Sequence, residues 1–144
     1  MERHTRQREF IMECFQTSAG PLTPAEVLAW AKRRMPGIGI ATIYRNLKAF
    51  VESGALRVVP VPGEADRYEI AGKQHHHHFF CRTCKKAFEM TGCPGSLASL
   101  APSGFKVEEH EIYLYGQCRQ CLDKNAARTD RVKAASGNTP ARKA

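Results

Sequence analysis

The spacing of apolar positions divides the chain into helices first and strands later. Phe10, Ile11, Cys14 and Phe15 recur at helical spacing and predict a helix over residues 5–17, with Thr5 as its candidate N-cap and Arg6 and Arg8 on the polar side. Gly20-Pro21 ends it. Thr23-Pro24-Ala25-Glu26 then starts a second helix. Thr23 caps the free amides, Pro24 suits the first helical position, and Glu26 completes a capping box. Val27, Leu28, Trp30 and Ala31 carry it to Lys32-Arg33-Arg34, whose charges suit the negative end of the helix dipole, and Met35-Pro36-Gly37 stops it. Ile40, Ile43, Leu47, Phe50 and Val51 form a third stripe, closed by Ser53-Gly54. The opposite face of that helix carries Thr42, Tyr44, Arg45 and Lys48, with no acid between Ile38 and Val51. Leu56–Val59 and Arg67–Ile70 alternate as two strands around Pro60-Val61-Pro62-Gly63-Glu64. Three helices followed by a hairpin is the order of a winged helix, with the third helix read as the recognition helix and the hairpin as the wing.

Past residue 72 the pattern changes. Residues 75–80, 86–90 and 111–115 read as strands, and Ser96–Leu100 is at most one short helix between Pro94-Gly95 and Pro102-Ser103-Gly104. Residues 122–144 lack apolar periodicity and are rich in Ala, Lys and Arg, which predicts a disordered basic tail. The expected organisation is α+β: a DNA-binding winged helix over 1–72, a metal-binding domain over 73–121, and the tail over 122–144. A hydrophobic content of 42% with 25% charged residues is globular material. No apolar run reaches membrane-span length and the N-terminus lacks a signal peptide's apolar core, so a cytoplasmic protein without a membrane partner is expected. The net charge of +8 favours a polyanionic partner, nucleic acid first.

Candidate chemistry concentrates in one stretch. His75-His76-His77-His78 leads into Cys81-x-x-Cys84, and Cys118-x-x-Cys121 follows downstream. In a reducing compartment these cysteines read as metal ligands rather than disulfides. Two tight turns that aim four thiolates at one ion suit a closed, tetrahedral, structural zinc site; redox pairs are the alternative. The long separation of the pairs requires a folded insertion between them. In an extended backbone His76 and His78 share one face while His75 and His77 share the other, so two further ions are expected. Glu69 and Glu89 are available to complete the first group, and Cys93 and His110 the second. A solvated histidine cluster is the alternative. Cys14, on an apolar helical face, is assigned to the core. The deaminase pattern of His-x-Glu followed by Pro-Cys-x-x-Cys is absent. No group combines an open metal position with a general base, so neither catalytic residues nor a small organic substrate are expected.

Three segments carry a resemblance: Ala41-Thr42-Ile43-Tyr44-Arg45-Asn46-Leu47, the His75–Cys84 tract, and His110-Glu111-Ile112-Tyr113-Leu114-Tyr115-Gly116 with Cys118-x-x-Cys121. From about Thr5 to Cys121 the chain resembles the ferric uptake regulator superfamily of metal-dependent bacterial repressors. Its Cys93-Pro94 context looks like the zinc uptake regulator branch. The resemblance implies an N-terminal winged helix, a C-terminal α/β dimerisation domain, and a homodimer on palindromic double-stranded DNA operators. It implies that Tyr44 and Arg45, with Thr42 and Lys48 beside them, meet DNA, and that Arg3 reaches the minor groove. It maps a regulatory hinge site to Glu69, His76, His78 and Glu89, with Pro21 standing where many members have another histidine. It maps a third site to His75, His77, Cys93 and His110. Nitrogen and sulfur there replace the acids of iron-type members and move preference toward zinc. Peroxide-sensing members tend to have aspartates where Glu69 and Glu89 stand. The implied function is a repressor of zinc-uptake genes holding structural zinc and regulatory zinc. An iron(II)-responsive regulator of the same fold is the alternative, and a zinc enzyme the more distant one.

Overall fold

The computed structural model describes residues 2–136, and the apolar stripes of the first sixty residues close on one another in it. Helix α1 (Glu2–Thr17), helix α2 (Pro24–Ala31) and helix α3 (Ile40–Glu52) bury Ile11, Cys14, Phe15, Val27, Ala31, Ile43, Leu47 and Phe50 in one core, joined by Leu56 from strand β1 (Leu56–Val59). Each fully buried large aliphatic or aromatic side chain contributes about 1.5–3 kcal/mol, so this cluster holds the helices together. The capping box forms as expected: the Glu26 amide donates to Thr23 Oγ1 at 3.2 Å, and the Thr23 amide donates to Glu26 Oε2 at 2.8 Å. Helix α1 begins at Glu2, so Thr5 lies inside it rather than at its cap.

Strand β1 pairs antiparallel with β2 (Arg67–Ile70), with Arg57 directly opposite Glu69. A bridge between Leu22 and Tyr68 ties the segment between α1 and α2 to this hairpin. The second sheet has the order β4-β3-β5, from β3 (His77–Cys81), β4 (Ala87–Met90) and β5 (Tyr113–Gly116). Strands β3 and β4 are antiparallel, and β3 and β5 are parallel. The crossover between β4 and β5 carries one short 3-10 turn at Ala98–Leu100. Strand β3 starts two residues later than the pattern predicts, so His75, at a bend, and His76 precede it.

The two sheets are joined around Gly20 and Arg67. The Glu89 amide donates to the Ala19 carbonyl at 2.9 Å, so the turn after α1 covers the outer edge of β4. A Cβ on Gly20 would sit 2.2 Å from the Ala87 carbonyl oxygen, which is why the residue there has no side chain. Arg67, 3% exposed, donates to the Pro21 carbonyl (3.1 Å), to Glu26 Oε2 (2.9 Å) and to the Lys85 carbonyl (2.5 Å). One guanidinium thus bridges the turn before α2, the first turn of α2 and the β3–β4 turn.

One expectation is corrected. Residues Arg119–Ser136 form a helix, α4, where a disordered tail was expected from residue 122. Only Cys121 is buried along it, so no apolar stripe marks it in the sequence. Its alanines, lysines and arginines favour the helix intrinsically. Residues 137–144 of the expected tail lie outside the described residues. No helix among the described residues is long and apolar enough to cross a membrane.

Candidate metal centres

Three groups of donor atoms converge, each with its atoms within 4.8 Å of one another: Cys81, Cys84, Cys118 and Cys121; Glu69, His76 and His78; His75, His77, Cys93 and His110. The sequence expectation names all eleven of these residues, and a twelfth, Glu89, that the structure leaves outside.

The four-cysteine group is built by two turns brought side by side by the parallel pairing of β3 and β5, with Cys81 at the end of β3 opposite Gly116. The amides of Cys84 and Cys118 both donate to Cys81 Sγ, at 3.5 and 3.3 Å. These hydrogen bonds lower the Cys81 pKa, while burial and the neighbouring sulfurs raise that of Cys121. Cys84 Sγ and Cys118 Sγ are 3.9 Å apart. Four sulfurs converging with backbone amides behind them suit a soft or borderline divalent ion.

The second group joins the wing to the other sheet. Glu69 comes from β2, and His76 and His78 come from the tract that enters β3. His76 Nε2 lies 3.1 Å from both Glu69 oxygens and His78 Nε2 lies 3.1 Å from one. His76 Nδ1 donates to the Gln74 carbonyl at 2.7 Å, so Nε2 of the neutral ring carries a lone pair. That lone pair faces a carboxylate, an arrangement of acceptor against acceptor that a proton or a metal cation between them satisfies. Burial raises the Glu69 pKa, but its contacts with His78, Arg57 and His76 outweigh it and bring it to about 2. Glu69 is therefore an anion at any ordinary pH.

Glu89 lies apart from this group. It sits opposite His78 in the ladder, yet its Oε2 is paired with Lys73 Nζ at 2.5 Å rather than with the imidazoles. Pro21 is fully buried and offers only its carbonyl, which Arg67 takes. His4, in α1, belongs to none of the three groups. Two residues that sequence reasoning missed, Arg57 and Lys73, touch the carboxylates instead. The hairpin register, which sets Arg57 across from Glu69, was the signal that finds the first.

In the third group His110 is central: its Nε2 lies 3.1 Å from His75 Nε2 and 3.1 Å from Cys93 Sγ. His77 Nε2 is buried without a hydrogen-bond partner, and its Nδ1 accepts from the Ile112 amide at 3.2 Å. In the neutral ring the proton therefore sits on Nε2. Ligation through Nε2 would shift it to Nδ1 and cost the Ile112 contact. Burial and then the adjacent imidazoles hold the His77 pKa below its ordinary value, which keeps the ring neutral and fit to be a ligand. This donor set has nitrogen and sulfur and no carboxylate, which suits a borderline or soft ion.

The expected DNA-facing residues lie away from these groups. Tyr44 is 54% exposed on α3, Arg45 donates to Thr42 Oγ1 at 3.0 Å, and Lys48 pairs loosely with Glu52 at 3.9 Å. Arg3 and Thr42 border one surface depression, so the start of α1 lies beside the start of α3.

Residues 2–115 match the ferric uptake regulator family. The chain is 31% identical over 129 residues to the ferric uptake regulation protein of Campylobacter jejuni, covering 86% of this chain and 82% of that one. It is 30% identical over 126 residues to the peroxide operon regulator of Bacillus subtilis, covering 85% and 86%. Among solved structures, the ferric uptake regulator from Francisella tularensis with iron superposes with a TM-score of 0.61 at 26% identity, over 81% of this chain and 91% of that one.

Proposed function

The chain belongs to the ferric uptake regulator family of metal-responsive transcription regulators, and from that premise we propose that it is a zinc-sensing repressor of zinc-uptake genes. The observation that carries the choice of metal is the third group. Its four donors are three imidazoles and a thiol, with Cys93 Sγ 3.1 Å from His110 Nε2. Such a set gives zinc the advantage over iron(II) and manganese.

Cys81, Cys84, Cys118 and Cys121 would hold a structural zinc, and His75, His77, Cys93 and His110 a second ion. Glu69, His76 and His78, with Glu89 once it leaves Lys73, would hold the regulatory ion of the hinge. A bound hinge ion supplies a link between β2 of the wing and the tract leading into β3. The chain's own residues do the rest. Arg67 and the Ala19–Glu89 hydrogen bond set how the winged helix sits on the sheet. The face of α3 that carries Thr42, Tyr44, Arg45 and Lys48 enters the major groove, and Arg3 reaches the neighbouring minor groove. A homodimer presents two such faces to a palindromic operator. Exposed Leu114 and Tyr115 on the outer strand β5 support a second copy packing there. With an ion held by Glu69, His76 and His78, the two winged helices would be kept in the arrangement whose spacing fits DNA.

The iron(II) reading draws on the Glu69 carboxylate and on relatives named for ferric uptake. DNA selected from a randomised palindromic pool, titrated with the protein under buffered zinc, iron(II) and manganese, separates the two. Zinc should support retention at the lowest free-ion concentration and the H76A/H78A double variant should abolish it. Retention driven by iron(II) at lower free concentration than zinc refutes zinc sensing.

A further inference from the structure

We propose that Arg57 and Lys73 set the affinity of the hinge for its metal, because they hold the two carboxylates that a divalent ion must recruit. The inference rests on reading Glu69, His76, His78 and Glu89 as the hinge ligands. Arg57 approaches Glu69 Oε1 with two nitrogens, Nε at 2.6 Å and a terminal nitrogen at 2.5 Å. Lys73 Nζ lies 2.5 Å from Glu89 Oε2. Charge-assisted bonds of this length are among the stronger ones a protein makes.

The partners differ in their freedom to move. The Glu69 side chain is 2% exposed and fixed by two imidazoles, whereas that of Arg57 is 47% exposed. The guanidinium is the partner that can leave. Glu89 and His78 are direct cross-strand neighbours and so share a face of the sheet. What keeps Glu89 out of the imidazole group is its pair with Lys73.

Arg57 and Lys73 also border one cavity of about 420 Å³, together with Glu108, Glu109 and Glu111. When a divalent ion takes Glu69 and Glu89, the displaced cations find these three carboxylates within the same space. The exchange moves two protein cations from one pair of acids to another, so neither is stranded without an anion. The competition weakens every divalent ion alike. It therefore raises the concentration at which the hinge fills and leaves the order of preference to the donor atoms.

The test is a zinc(II) titration of the full-length dimer against a chromophoric chelator. The H76A variant identifies the hinge step and H110A the third-group step. R57Q should tighten the hinge step about tenfold, the size of one lost charge-assisted pair, and leave the third-group step in place. R57K keeps the charge without the two-nitrogen fork and should fall between. K73Q, a change on a partly exposed side chain, reads the same competition independently and should tighten the step roughly threefold. A hinge step that R57Q and K73Q leave unchanged or weaken, in proteins with wild-type unfolding midpoints, overturns the proposal. If H76A leaves every zinc step intact, the hinge assignment falls and takes the proposal with it. If H76A removes a step that R57Q does not tighten, the proposal alone falls.

Discussion

Replacing Arg67 by Met should loosen the winged helix from the three-stranded sheet. The side chain is 3% exposed, so its three hydrogen bonds are not exchanged for water. Met fills much of the volume but leaves the Pro21 and Lys85 carbonyls without their donor. Each orphaned buried acceptor costs about 1–3 kcal/mol. Glu26 loses less, because the Thr23 amide and hydroxyl still donate to Oε2 at 2.8 and 3.2 Å. The expected loss is about 3–4 kcal/mol, at the lower end of what breaking a buried ion pair costs. The chain's single tryptophan, Trp30, packs with its ring tilted against Phe10 at a centroid distance of 4.3 Å and lines the crevice between α2 and β4, so its fluorescence follows this region during urea unfolding. A double-mutant cycle with E26Q isolates the ion pair from the two carbonyls. An R67M protein that unfolds within 1 kcal/mol of wild type would show that the guanidinium does not join the two halves.

Gly20→Ala should separate the same two halves by a steric route. Its Cβ meets the Ala87 oxygen at 2.2 Å, so the turn must retreat, at a cost of about 1–3 kcal/mol, and the Glu89 amide should exchange with deuterium faster while the α1–α3 core keeps its protection. Protection of the Glu89 amide unchanged in G20A would refute the close approach. Burial, then the charge of Glu26, pushes the Cys14 thiol from 9.0 up to about 12. A raised thiol pKa makes stability complete below pH 9 and loses it as pH rises toward 12, because the unfolded chain ionises first, at about 1.4 kcal/mol per pH unit. Unfolding midpoints of wild type and C14A between pH 8 and 11 should converge as pH rises; parallel curves would count against a buried, neutral thiol.

The helices of the first half were legible because their stripes, caps and stops agree: Ile43, Leu47 and Phe50 are buried where the pattern puts them. The histidine alternation was legible for the same reason, since a period of two survives even where His75 and His76 precede the strand proper. Glu89 was not, because register puts it on the correct face while a lysine sixteen residues away decides where its carboxylate goes. Arg67 was not either. In a strand it reads as one more basic residue, and only the tertiary fold brings Pro21, Glu26 and Lys85 around it. Helix α4 escaped notice because pattern reasoning looks for burial, and this helix has almost none.

That lack of burial makes α4 depend on its beginning. Starting a helix in water is improbable by a factor of about 10⁻³, and eighteen residues without a core have little else to offset it. The first turn of α4 is the Cys118–Cys121 turn, where the Leu122 amide already donates to the Cys118 carbonyl at 3.0 Å. An ion held by those two sulfurs fixes the turn in advance, and each following residue then adds at the favourable cost of propagation. A single bound atom would in this way decide the order of a segment far longer than its own coordination shell.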